Sequence, residues 1–193
     1  MYREVKIMNT QISATYELKF TSMKLYAIVA VFVALDVAIP WLLHTIHPLA
    51  GPTFLPMFFF ILMAGLLFGW RAGILVGILT PLVSYSMSGM PVPAILPRVL
   101  IEGIMYGLAA GLLYEKLGHS VFWATVGAVV FGRIATILVM FVIYAGSINP
   151  AAMVWKAVKI GWPGILVQLA LLPLIAVIVE RIITRIRNTD DTP

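Results

Sequence analysis

Five polar side chains stand in stretches of sequence that are otherwise apolar. They are Asp36 in "FVALDVAIP", Arg98 and Glu102 in "LPRVLIEGIMYG", Arg133 in "FGRIATIL" and Gln168 in "ILVQLALL". A guanidinium takes a planar anion through two parallel N–H bonds, and a carboxylate accepts N–H and O–H donors. The set is therefore suited to recognition, either of one another or of a polar solute. It is not suited to catalysis, because no nucleophile–base pair, HExxH, Gly-x-Ser-x-Gly or Gly-rich phosphate loop accompanies it. We expect no enzyme activity, no cofactor and no ATP hydrolysis by this chain. His44 and His47 form an HxxH pair in a loop with proline but without a neighbouring carboxylate. His47 is thus kept as a ligand contact rather than a metal ligand. The absence of cysteine excludes disulfides and thiolate metal sites.

The elements that hold these groups must lie in lipid. Of 193 residues 62% are hydrophobic and 11% are charged, against roughly 25% charged in soluble domains. A chain of this length cannot bury so much apolar surface in its own core. The charge of +5 lies at the edges of apolar segments and forms no basic patch, so nucleic acid is not an expected partner. A spanning helix takes about 20 apolar residues, and six segments qualify: 23–43, 54–68, 73–87, 92–114, 121–144 and 163–183. The second and third are separated by "GWRAG"; a single helix from 54 to 87 would leave Arg71 in mid-bilayer. The expected architecture is an all-α integral membrane protein, one compact six-helix bundle. Its expected divisions are an N-terminal tail over 1–22, a transmembrane domain over 23–186 and a C-terminal tail over 187–193. The first segment does not read as a cleavable signal.

Lys/Arg asymmetry orients the bundle. Nine of the 13 basic residues fall on one side, only Lys156 and Lys159 fall on the other, and Arg98 and Arg133 lie within spans. Both termini are expected in the cytosol of a plasma-membrane protein, prokaryotic by its type. The outer connections, 44–53, 86–97 and 146–164, are rich in Gly and Pro, and the last is expected to hold a short amphipathic helix near 151–160.

At about 1.5 Å per residue, Asp36 and Arg133 stand about 20 and 18 Å from the cytosolic ends of their spans. By the same measure Arg98, Glu102 and Gln168 stand roughly 9, 15 and 8 Å in from the outer side. All five fall at or outside the midplane of a core about 30 Å thick. On the fourth span Arg98, Glu102 and Tyr106 share a face, while Gly103, Gly107 and Gly111 form a ridge for close helix contact. Two readings stay open: internal ion pairs, Arg98–Glu102 and Asp36–Arg133, that lock helices together, or an outward-open pocket for a solute. Trp162, near the outer end of the last span, is a candidate for stacking on that solute. On the first span Ala27, Ala30, Ala34 and Ala38 make a small-residue stripe, with Asp36 about 200° from Ala34. The stripe suits either internal packing or another protein's helix.

This layout resembles the substrate-binding S components of energy-coupling factor (ECF) vitamin transporters. The resemblance is carried by the alanine stripe, "FLPMFFFILMAGLLFGWRAGILVGILTPLVSYSMSGMP", "LPRVLIEGIMYGLAAGLLY", "FGRIATIL" and "WPGILVQLALLPLI", and it covers nearly the whole chain from residue 23. It implies a vitamin or vitamin precursor bound near the outer surface. It also implies a transmembrane coupling protein docked on Ala30, Ala34 and Ala38, with two cytosolic ATPase subunits as motor. Asp36, Arg98, Glu102, Tyr106, Arg133, Gln168, Trp162 and His47 are then the candidate substrate contacts. The alternative is a solitary carrier or channel using Asp36 and Glu102 as a proton relay.

Overall fold

A computed structural model describes residues 18–46, 53, 54, 56–144 and 149–190. Among the described residues there are five α-helices: α1 (Met23–Ile46), α2 (Pro56–Ser88), α3 (Leu96–Gly111, closed by a π-helical turn over Leu112–Lys116), α4 (Val121–Tyr144) and α5 (Pro150–Asp190). All five are long and apolar enough to cross a membrane. Their outward faces are apolar: Val130, Phe131, Ile134, Leu138 and Phe141 on α4 are exposed, as are Leu166, Leu171 and Leu174 on α5. Such a surface is stable only against lipid. The fifth expected span coincides with α4, and the first starts with α1, which runs three residues further to Ile46.

The expected turn in "GWRAG" contracts to one residue. Gly69 alone leaves helical geometry, at φ 82° and ψ 170°, a region open mainly to glycine. The chain folds back there. A straight helix would separate Gly65 from Gly73 by about 12 Å, yet a Cβ on either would lie within 3.0 Å of the same Gly107 carbonyl. Farther along, Ile61 and Gly77 both meet Gly103, and at the reversal Gly111 meets Trp70. The two halves of α2 thus embrace α3, backbone against backbone, along a seam of glycines. Phe20, just before α1, meets the Trp70 ring edge-on at 6.0 Å, and Arg71 lies over both rings. The foot of α1 is therefore fastened at the reversal of α2.

Two boundaries differ from expectation, and proline explains both. The fourth span was expected from 92, but α3 starts at Leu96 after a turn closed by Ile95 N–H donating to the Val92 carbonyl at 3.0 Å. Pro93 disfavours helix at Val92, whereas Pro97 fits a first turn, where its missing N–H has no intrahelical partner anyway. The short helix expected near 151–160 is not separate from the last span. α5 begins at Pro150, capped by Asn149 Oδ1 accepting from Ala152 N–H at 3.0 Å, and continues through Pro163 and Pro173 past residue 186. Proline breaks a helix in water, but in hydrocarbon an ended helix would expose unsatisfied carbonyls, and continuing is the better option.

The seam yields a contrast. Gly107→Ala places a methyl against the backbone of Gly73, which cannot give way, and is expected to destabilise the fold by about 1–3 kcal/mol or more. Gly127→Ala meets only the flexible end of Leu113 and should cost less. Unfolding midpoints of the two variants in one detergent check the order.

Candidate functional site

α3 presents Arg98, Glu102 and Tyr106 on one face at four-residue spacing, and both Glu102 and Tyr106 are buried. The Glu102 carboxylate is a hub. Its Oε2 accepts from Arg98 Nη1 at 2.9 Å, and its Oε1 accepts from the Tyr106 hydroxyl at 2.9 Å. Arg133 Nη1 of α4 faces Oε1 at 2.5 Å as an ion pair. Tyr106 sits where it does because α4 has a glycine next to the arginine. A Cβ at Gly132 would run into the Tyr106 ring, which also meets Phe58 of α2 edge-on at 5.0 Å. The Arg133 guanidinium lies 5.9 Å from the same ring centroid. Three helices are thus joined around one carboxylate.

The cluster does not close on itself. Arg133 is 8% exposed, and its Nε and Nη2 have no hydrogen-bond partner. Thr136, one turn along the same face, is buried with its Oγ1 equally unpartnered.

The proposed second ion pair is corrected by the structure. Asp36 does not reach Arg133; it is fully buried, and its Oδ2 accepts from Thr80 Oγ1 of α2 at 3.0 Å. The helices pack in the order α1 on α2, α2 on α3, α3 on α4 and α4 on α5, so α2 stands between the two groups. The heights do correspond. With Gly73 opposite Gly107 and Gly77 opposite Gly103, one further turn sets Thr80 level with residues 99 and 100, between Arg98 and Glu102. Sequence reasoning overlooked Thr80 and its neighbour Ser84, buried one turn on. The available signal was a pair of hydroxyls at four-residue spacing in "GILTPLVSYS".

Gln168 is 1% exposed on α5. Gly164, one turn earlier, abuts the Phe54 carbonyl, which sets Gln168 near the level of Phe58 and hence of Tyr106. Trp162 is 57% exposed and stands on the outside of α5. His47 lies outside the described residues. Ala30, Ala34 and Ala38 are exposed together along α1, on the side away from buried Asp36.

Residues 24–188 match the family described as ECF transporter, substrate-specific component. No curated protein and no solved structure matches the chain.

The two buried acids should respond differently to neutralisation. Glu102→Gln leaves two guanidiniums without their counter-ion and is expected to destabilise by about 3–5 kcal/mol. Asp36→Asn keeps an acceptor for Thr80 and should change stability by about 1 kcal/mol or less. Thermal unfolding of both variants in the same detergent reads the difference; equal losses would remove Glu102 from its place as the hub.

Proposed function

The chain belongs to the ECF transporter substrate-specific component family, and from that premise we propose that it captures a small water-soluble vitamin or vitamin precursor for import. The observation that carries the reading is the polar cluster around Glu102, buried between α2, α3 and α4 in a chain whose outer surface is apolar. Ionisable groups inside a membrane bundle are costly, and they usually mark a solute path or site. The chain is a membrane protein of a transporter family, not of an enzyme family. In our reading Asp36, Arg98, Glu102, Tyr106, Arg133 and Gln168 build the substrate site, with Trp162 and His47 at its outer rim. Ala30, Ala34 and Ala38 dock a transmembrane coupling protein that two cytosolic ATPase subunits drive. Residues 23–186 are the substrate-binding domain.

Counting the halves of α2 on either side of Gly69 as separate crossings makes six, with both termini on one side. Charge supports placing that side in the cytosol. Lys19, Lys24, Arg71 and Lys116 gather at the end where Phe20 and Gly111 meet Trp70. Lys156 and Lys159 stand toward the opposite end, before Gly164 meets Phe54. The proton-relay alternative finds no support in the geometry, because Glu102 is held by two hydrogen bonds and an ion pair and Asp36 is bonded on the far side of α2.

Four measurements follow. Mass spectrometry of solvent extracts from the purified chain should find a bound small molecule, and uptake in proteoliposomes should require the coupling protein and ATP. Uptake by the chain alone, abolished by Asp36→Asn, would instead establish the solitary carrier. Ala34→Trp should abolish co-purification of the coupling protein while extracts still hold the small molecule; loss of both would make the stripe internal packing. The cysteine-free chain allows single-site labelling. Leu117→Cys, at an exposed residue, should react with an impermeant maleimide only in opened cells, and Met87→Cys in intact ones; the reverse pattern would invert the orientation.

A further inference from the structure

We propose that the captured solute carries a single carboxylate, received by the Arg133 guanidinium and the Thr136 hydroxyl. The inference rests on reading the chain as a substrate-binding subunit. Its first support is charge. The cluster contains two guanidiniums, Arg98 and Arg133, and one carboxylate, Glu102, which leaves one positive charge unmatched. Arg98 is 12% exposed at its side chain and bonded to Glu102 Oε2. Arg133 is the deeper of the two, and it shares Oε1 with the Tyr106 hydroxyl.

The second support is hydrogen bonding. Buried polar atoms are nearly always partnered, and each exception calls for a reason. Among the described residues the exceptions include Asp36 Oδ1 on α1 and the oxygens of Glu115, which faces Lys116; the others gather on one face of α4, at Nε and Nη2 of Arg133 and Oγ1 of Thr136. The Nη1 of Arg133 contacts Glu102 as an ion pair without hydrogen-bond alignment. Met140, fully buried one turn beyond Thr136, gives that face an apolar continuation. A charged fork, a hydroxyl and an apolar wall fit an acid with a hydrocarbon or ring body.

The third support is stoichiometry. A carboxylate brings one negative charge and two coplanar oxygens that match the guanidinium fork. A phosphate monoester brings close to two charges and would leave the cluster net negative. A neutral amide offers a single acceptor and leaves the surplus charge uncompensated. Glu102, Tyr106 and Gly132 are positioning residues in this account. They fix where the guanidinium stands, and the solute meets what they leave unbonded.

The test uses the full chain in lipid nanodiscs and matched probes: nicotinate with nicotinamide, pantothenate with pantothenol, and biotin with biotinamide. Equilibrium dialysis and thermal stabilisation are read for each, with sodium chloride and inorganic phosphate as controls. One acid is expected to bind at least about tenfold more tightly than its neutral partner, and Arg133→Gln to erase that preference. Thr136→Val, which keeps every charge and nearly the same shape, should weaken the acid about three- to tenfold and leave the neutral compound unchanged. Arg133→Lys should keep part of the preference, which separates charge recognition from misfolding. Equal binding of acid and neutral partner, or equal binding of the acid by wild type and Arg133→Gln, overturns the inference and leaves the substrate-binding reading standing. Stabilisation by chloride or phosphate as large as by any acid overturns it too. Failure of all six probes overturns it as well, and the substrate-binding reading falls only where extraction and uptake with the coupling protein also fail.

Discussion

A carboxylate without access to water must find its positive charges inside the protein, and Glu102 finds two. Almost everything else about the interior follows from that requirement. The charges come from different directions, Arg98 from its own helix and Arg133 from the next. Satisfying Glu102 therefore fixes the rotation of α3 and α4 about their axes as well as their separation. Tyr106 adds a second hydrogen bond and a ring that fills the space between α2 and α4. In a medium as poor in hydrogen bonds as the bilayer interior, helices held only by apolar contact could slide or turn past one another at little cost. A shared carboxylate removes that freedom.

The glycine seam supplies the complementary constraint. Backbones as close as those of Gly73 and Gly107 leave no room for a side chain to adapt, so α2 and α3 pack as a rigid pair. The polar cluster is built on the far face of the same helix. α3 thus carries two kinds of contact, one steric and one electrostatic, and each limits what the other can do. The Asp36–Thr80 bond extends the arrangement to α1.

The sequence revealed depth far better than neighbourhood. Spans and heights follow from counting residues: α4 begins and ends where hydropathy places it, and α1 begins there and runs three residues further. The stripe of alanines and buried Asp36 fall on opposite sides of α1, as helical periodicity requires. Which polar group meets which is a matter of packing order, and no periodicity carries it. Asp36 and Arg133 share a level but are separated by α2. Thr80 was invisible for a related reason. A hydroxyl in a membrane helix commonly bonds its own backbone, as Thr125 does to the Val121 carbonyl, and nothing in "GILTPLVSYS" marks Thr80 as different. The proline boundaries misled in opposite directions. Pro93 delayed a helix, and Pro163 failed to divide one, because local stereochemistry decides at the aqueous edge and carbonyl satisfaction decides within the lipid.

The reversal at Gly69 has a mechanical side. Phe20, Trp70 and Arg71 tie the foot of α1 to that bend, and higher up Asp36 is hooked to Thr80 on the returning arm. Two attachments at different heights make α1 a lever with no joint of its own. A push on its small-residue flank cannot peel it away without first undoing one of them. The load passes through the hairpin into the seam with α3, and the polar cluster around Glu102 moves with a stiff frame.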